Sequence, residues 1–147
     1  MSTSATAQLA NPLATDWMEW IPTADGKAFK PLRFDSDGWS ELMRLEPGAL
    51  VARHPQDPVH RRDRRPGDYV YEPAGDTDTW QAIGDEPCIV HIKITGAVQY
   101  LDDTDTVIDT ADAASQCAAY LAWCIQHGQD PAAQILNRSH ALTREVQ

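Results

Sequence analysis

The chain has no membrane-length apolar run: nowhere in its 147 residues do about 18 apolar side chains follow one another. No transmembrane helix is therefore expected. The opening MSTSATAQLANPLATD has neither the basic start nor the apolar centre of a secretory signal, and a soluble, cytoplasmic protein is the expectation. Cysteine is scarce. Cys88, Cys117 and Cys124 form no C-x-x-C pair and fall in apolar surroundings by pattern, so they are expected to be reduced core residues rather than a thiolate site. Basic residues number 12 against 22 acidic ones, and a net charge of −10 excludes general binding to nucleic acid. No Ser/His/Asp arrangement and no phosphate-cradling glycine loop is present. Five of the basic residues, Arg53, Arg61, Arg62, Arg64 and Arg65, nevertheless crowd together, either to grip an anion or a partner's carboxylate or as a solvated loop.

At this length one domain with its own core is expected. Residues 1–15 are small, polar and aperiodic, and a flexible N-terminus is expected there. Short apolar segments punctuated by turn signals follow: WMEWIP, AFKPLRF, WSELMRL, ALVARH, DYVYEP, TDTWQAI, CIVHIKIT and AVQYLD. This spacing predicts an all-β sandwich or barrel over residues 16–108. In CIVHIKI, Cys88, Val90, Ile92 and Ile94 share one face, the core side, while Ile89, His91 and Lys93 share the other. That second face either lines a pocket or meets water. From residue 111 to 127 the period becomes helical, with Ala113, Cys117, Tyr120, Leu121, Cys124 and Ile125 on one stripe, Asp109 or Thr110 as the cap and Gly128 as the stop. A C-terminal helix and extension over 109–136 and a fraying tail over 137–147 complete the expected layout.

Two glycine-led turns each precede a potential metal ligand. Gly48 is followed by ALVAR and His54; Gly67 is followed by DYVYE, then Pro73, Ala74, Gly75, two further residues and Asp78. These spacings resemble the two motifs of the cupin superfamily, in which turns at strand ends aim side chains of neighbouring strands into a barrel mouth where several can meet one metal ion. The segments MRLEPGALVARH, PGDYVYEPAGDTDT, ITGAVQYLD and HGQDP, with FKPLRF and GW before them, look like the single-domain cupins related to 2,4'-dihydroxyacetophenone dioxygenase, and together cover most of residues 26–131. The resemblance implies a double-stranded β-helix barrel with a C-terminal amphipathic helix. It also implies a mononuclear iron site, usually of three histidines, at which molecular oxygen cleaves a carbon–carbon bond in a hydroxylated aryl ketone or dicarbonyl-like substrate.

The departures from that pattern shape the expected site. His54 matches the first histidine, but Gln56 and Asp78 stand where the other two would be. Only twelve residues separate His54 from Gly67, too few at about 3.3 Å per residue for two strands and their hairpin, so the barrel is expected to be shortened or open. The chain could be a paralogue without metal chemistry, a barrel completed by a partner subunit, or a rebuilt site. In the rebuilt site His54, His60 and Asp78 form the two-histidine, one-carboxylate set that suits Fe(II), with Gln56 beside them. Each residue also has an ordinary reading: a hydrogen-bonded or exposed strand-end His54, a solvated His60, an Asp78 bonding turn amides, a Gln56 donating to an occupant of the pocket. Glu72 is a minor candidate ligand. Trp39, Tyr69, Tyr71 and Trp80 could wall a flat ligand, with His91 alongside, or simply pack the core. The expectation is a homodimeric dioxygenase using Fe(II), with another divalent ion or none as alternatives; the competing reading is a metal-free cupin that binds a small molecule or a protein.

Overall fold

The computed structural model describes residues 15–51, 64–77 and 79–136. Among the described residues eight strands precede one helix: β1 (Ile21–Pro22), β2 (Lys27–Phe34), β3 (Gly38–Leu45), β4 (Leu50–Val51), β5 (Trp80–Gln81), β6 (Cys88–Thr95), β7 (Val98–Leu101), β8 (Val107–Ala111) and α1 (Ala113–Gln126). All pairings are antiparallel. A four-stranded sheet runs β1-β2-β3-β6, and β4-β5 and β7-β8 form two separate two-stranded ladders. The described strands do not close into a barrel.

The β1–β2 turn uses Asp25 and Gly26, both at positive φ (52° and 74°), the left-handed pair that matches the twist of a tight hairpin. The β2–β3 ladder slips register between Pro31 and Arg33. Pro31 has no N–H to give the ladder, and a bulge beside it accommodates the missing rung. By contrast β3 and β6 pair without interruption from Gly38↔Thr95 to Leu45↔Cys88. On these strands Trp39, Glu41, Met43, Leu45, Val90, Ile92 and Ile94 face inward, while Ile89, His91 and Lys93 are exposed, as alternation demands.

The inward face is covered at its two ends by different elements. Leu45, Ala49 and Ala82 pack with Met43, Val51 and Val90 beneath the β4–β5 ladder. A larger cluster joins Phe29, Phe34, Trp39 and Ala111 to helix residues Ala113, Cys117, Tyr120 and Cys124, with Ile94, Val98 and Tyr100 against it. Phe34 and Ile135 are fully buried, and the Phe34 amide donates to the Ile135 carbonyl at 2.8 Å, fastening the chain beyond the helix to the sheet.

The expected helix is present, but its cap is Asp112 rather than Asp109 or Thr110, which belong to β8. Asp112 prevails because Ser115 lies three residues on: the Asp112 carboxylate accepts from the Ser115 amide at 2.8 Å, and the Ser115 hydroxyl accepts from the Asp112 amide at 2.9 Å. This reciprocal box contributes about 1 kcal/mol. Gly128, at φ 61°, ends the helix as expected. Ile125 departs from the expected stripe; it lies one step past the buried line of Ala113, Cys117, Tyr120 and Cys124 and is 82% exposed. DYVYEP, expected as a strand, has no ladder partner among the described residues, and Tyr69 and Tyr71 are exposed. Cys117 and Cys124 are buried as expected, whereas Cys88, first residue of β6 at the end of the sheet, is exposed. Among the described residues no helix is long and apolar enough to cross a membrane.

Candidate functional site

The first glycine-led turn delivers its strand, β4, to a ladder with β5. Gly48 is in the left-handed region (φ 83°), which frees the chain to reverse direction into β4. Its amide donates to the Ala82 carbonyl at 2.9 Å, and the Ala82 amide donates to the Ala49 carbonyl at 3.1 Å. The Gln81 side chain donates to the Gly48 carbonyl at 3.3 Å. These bonds extend the Leu50↔Gln81 and Val51↔Trp80 pairs into a short ladder. The chain therefore leaves the ladder at Val51, three residues before His54, and rejoins it at Trp80, two residues after Asp78. His54, Gln56, His60 and Asp78 themselves lie outside the described residues.

The expected pocket residues do not gather. Trp80 is half-buried on β5, and its indole N–H donates to the Glu72 carboxylate at 3.1 Å, which engages Glu72 in a tie between the second turn and β5. Tyr69 and Tyr71, 87% and 75% exposed, stand away from the core. His91 lies on the outer face of β6, opposite Leu42 and in line with exposed Ile89 and Lys93. Among the described residues no group of three or more His, Cys, Asp or Glu side chains is placed to hold a metal ion.

One inward acid went unremarked in the sequence. Glu41, in the middle of β3, is only 6% exposed. Burial pushes its carboxyl from 4.5 up to about 7, against a smaller downward pull from the Trp39 indole N–H. That N–H is itself fully buried beside the Glu41 carboxyl. Tyr100 on β7 is held above the usual phenol range by burial, and further by the charges of Glu41 and Asp109. The alternation Trp39, Glu41, Met43, Leu45 was the available signal, since it sets one carboxyl among apolar residues that face inward.

Other buried polar groups serve the frame. Lys30, 8% exposed, donates to the Thr15 carbonyl at 2.8 Å and lies 4.6 Å from the centre of the Trp20 ring, pinning the start of the described chain to β2. Tyr120, whose phenol is pushed up to about 12 chiefly by burial, accepts from the Ala132 amide at 3.1 Å.

An antiparallel sheet whose inner face is roofed by short ladders is an architecture of the cupin kind. A solved structure bears this out. An RmlC-like cupin protein from Ralstonia eutropha JMP134 superposes with a TM-score of 0.73 at 23% sequence identity, covering 85% of this chain and 94% of that one. This likeness establishes a cupin-like fold. No family model and no curated protein matches the sequence.

Proposed function

We propose that the chain is a cupin-type, metal-dependent dioxygenase cleaving a carbon–carbon bond in a small hydroxylated aryl ketone or dicarbonyl-like substrate, with His54 and Asp78 holding Fe(II) and His60 or Gln56 completing the set. The observation that supports this reading is the Val51↔Trp80 rung, because the two segments that carry His54 and Asp78 start from neighbouring backbone positions. Two imidazoles and a carboxylate are a donor set that suits non-haem Fe(II) and leaves positions open. Bound there, the ion would supply the coordination sites at which substrate and molecular oxygen can be brought together. The chain's own contribution is a fixed pair of strand ends beside an apolar inner face that excludes water. On this reading the protein acts in the cytoplasm as a homodimer.

A second reading, a metal-free cupin binding a small molecule or protein, draws on the replacement of two expected histidines by Gln56 and Asp78. Metal analysis of freshly purified protein separates the two. Near-stoichiometric iron that is lost in His54→Ala and Asp78→Asn, with far-ultraviolet circular dichroism unchanged, supports the oxygenase. Protein that takes up no iron on reconstitution sinks it in favour of the binding module. Iron binding without oxygen uptake in the presence of a hydroxylated aryl ketone turns the reading toward a lyase or isomerase on the same scaffold. A sedimentation mass of one chain contradicts the dimer.

A further inference from the structure

We propose that the β7–β8 ladder is a flap that rests closed on the protonated Glu41 carboxyl and opens when that carboxyl loses its proton. The ladder is a separate unit: among the described residues its strands bond to each other and not to the four-stranded sheet, and its backbone lies close to few residues of the other elements. The β3–β6 run ends with the Gly96 amide donating to the Asp37 carbonyl at 2.6 Å. Gly96 itself is in the left-handed region (φ 87°), a pivot just before β7. At the ladder's tip the Asp102 carboxylate accepts from the Thr104 and Thr106 amides at 2.8 and 3.0 Å, so the two strands move as one body. Along β8 only Ala111, next to the start of α1, is buried; Val107 and Ile108 are exposed. Val98, Tyr100 and Ala111 join the cluster around Phe34 and Trp39 and hold the ladder down. An element fastened by so little buried surface opens before the rest of the fold.

The surroundings of Glu41 make the flap sensitive to its charge. Its register partners, Pro31 on β2 and Ile92 on β6, do not titrate, and Trp39 and Met43 flank it on its own strand. The flap brings Tyr100, whose phenol is within range of the Glu41 charge, and Asp109, paired with Tyr100 across the ladder. These neighbours are an indole, a phenol and a second carboxylate, with no cation among them. A protonated carboxyl is tolerated in such a place, whereas an ionised one is a buried anion whose remaining source of solvation is water. Lifting the flap admits water without breaking a rung of the four-stranded sheet. Closed, the acid titrates at about 7; open to solvent, it returns toward 4.5. The closed form therefore binds the proton more tightly, prevails at low pH, and loses ground as pH rises from 4.5 through 7. Across pH 5 to 8 the opening becomes roughly 50–100 times more frequent.

Hydrogen exchange of the full chain from pH 5 to pH 9, read by mass spectrometry and normalised to the rates of unstructured peptides, tests the device. Peptides covering residues 97–111 are expected to be less protected than those covering residues 38–45 at every pH. Their protection is expected to fall roughly 50–100-fold between pH 5 and pH 8 and to level off beyond. Urea below the unfolding transition is expected to leave their exchange nearly unchanged, because a local opening exposes little surface. Glu41→Gln is expected to abolish the fall with pH and to keep the difference between the two regions. Equal protection of the two regions overturns the proposal, since the ladder then opens only with the whole fold. So does a flat profile in the wild type, or a fall that persists in Glu41→Gln and so belongs to another group. If Glu41→Gln does not fold, the wild-type profile decides: a fall that continues unabated above pH 8 overturns the assignment to this acid.

Discussion

Replacing Glu41 by Gln keeps the size and polarity of the side chain and removes its charge, so it isolates what ionisation at that place costs the fold. Unfolded, the carboxyl titrates at its ordinary 4.5; folded, at about 7. Below 4.5 both states are protonated and the acid carries no ionisation penalty. Between the two values the folded chain holds a proton that the unfolded chain releases, so stability falls as pH rises through this window and levels off above it. Two and a half decades at about 1.4 kcal/mol each give roughly 3 kcal/mol. Trp39, whose N–H mildly favours the ionised acid, and Tyr100, which remains a phenol throughout the window, are common to both proteins and drop out of the comparison. Relative to Glu41→Gln, the wild type is thus expected to lose about 3 kcal/mol between pH 4.5 and pH 8, or about 6–12 °C in Tm for a chain of this size. Urea unfolding of both proteins at pH 4.5, 6 and 8 measures it. If the two stability profiles run parallel across that range, the carboxyl ionises as freely in the fold as in water, and the account of a desolvated acid at the centre of β3 is wrong.

Two further perturbations probe the frame. At Gly38 the Ile94 carbonyl occupies the place a Cβ would take, so Gly38→Ala forces β3 and β6 apart at their first rung and is expected to cost about 1–3 kcal/mol in urea unfolding, with an unaltered transition pointing to a looser junction. Of the three thiols, only Cys88 is exposed, so a thiol-specific disulfide reagent should titrate one group promptly in the native protein and three in denaturant; prompt reaction of Cys117 or Cys124 contradicts the packing of α1.

What could be read from the sequence was what local chemistry decides. Strict alternation in CIVHIKI separated the inward from the outward face of β6, and the Ala113, Cys117, Tyr120, Cys124 spacing announced α1. The misplacements arose where several residues could do the same job. Asp109, Thr110 and Asp112 are all competent caps, and the choice fell to the one with Ser115 three positions on. DYVYEP alternates like a strand, but alternation does not supply a neighbour to pair with. Cys88 carries the right parity for the core yet sits at the sheet's margin, where parity no longer implies cover. Glu41 was visible as a charged residue at an inward position, but its burial depends on Ile92, Tyr100 and the ladders around it, which are remote in sequence. His54, Gln56, His60 and Asp78 came from motif spacing, and the ladder relates their flanks without reaching them.

The uninterrupted rungs from Gly38↔Thr95 to Leu45↔Cys88 have a consequence for how this chain can vary in length. They close residues 46–87, a span of 42 residues, into one covalent loop. The entropy of such closure rises only with the logarithm of contour length, so trimming or adding a dozen residues inside it changes the closing free energy by roughly 0.2 kcal/mol. The brief stretch from His54 to Gly67 is thus nearly neutral for the β3–β6 clasp. Lengthening it would tax the rest of the molecule very little, which makes that stretch the natural place to graft a foreign segment.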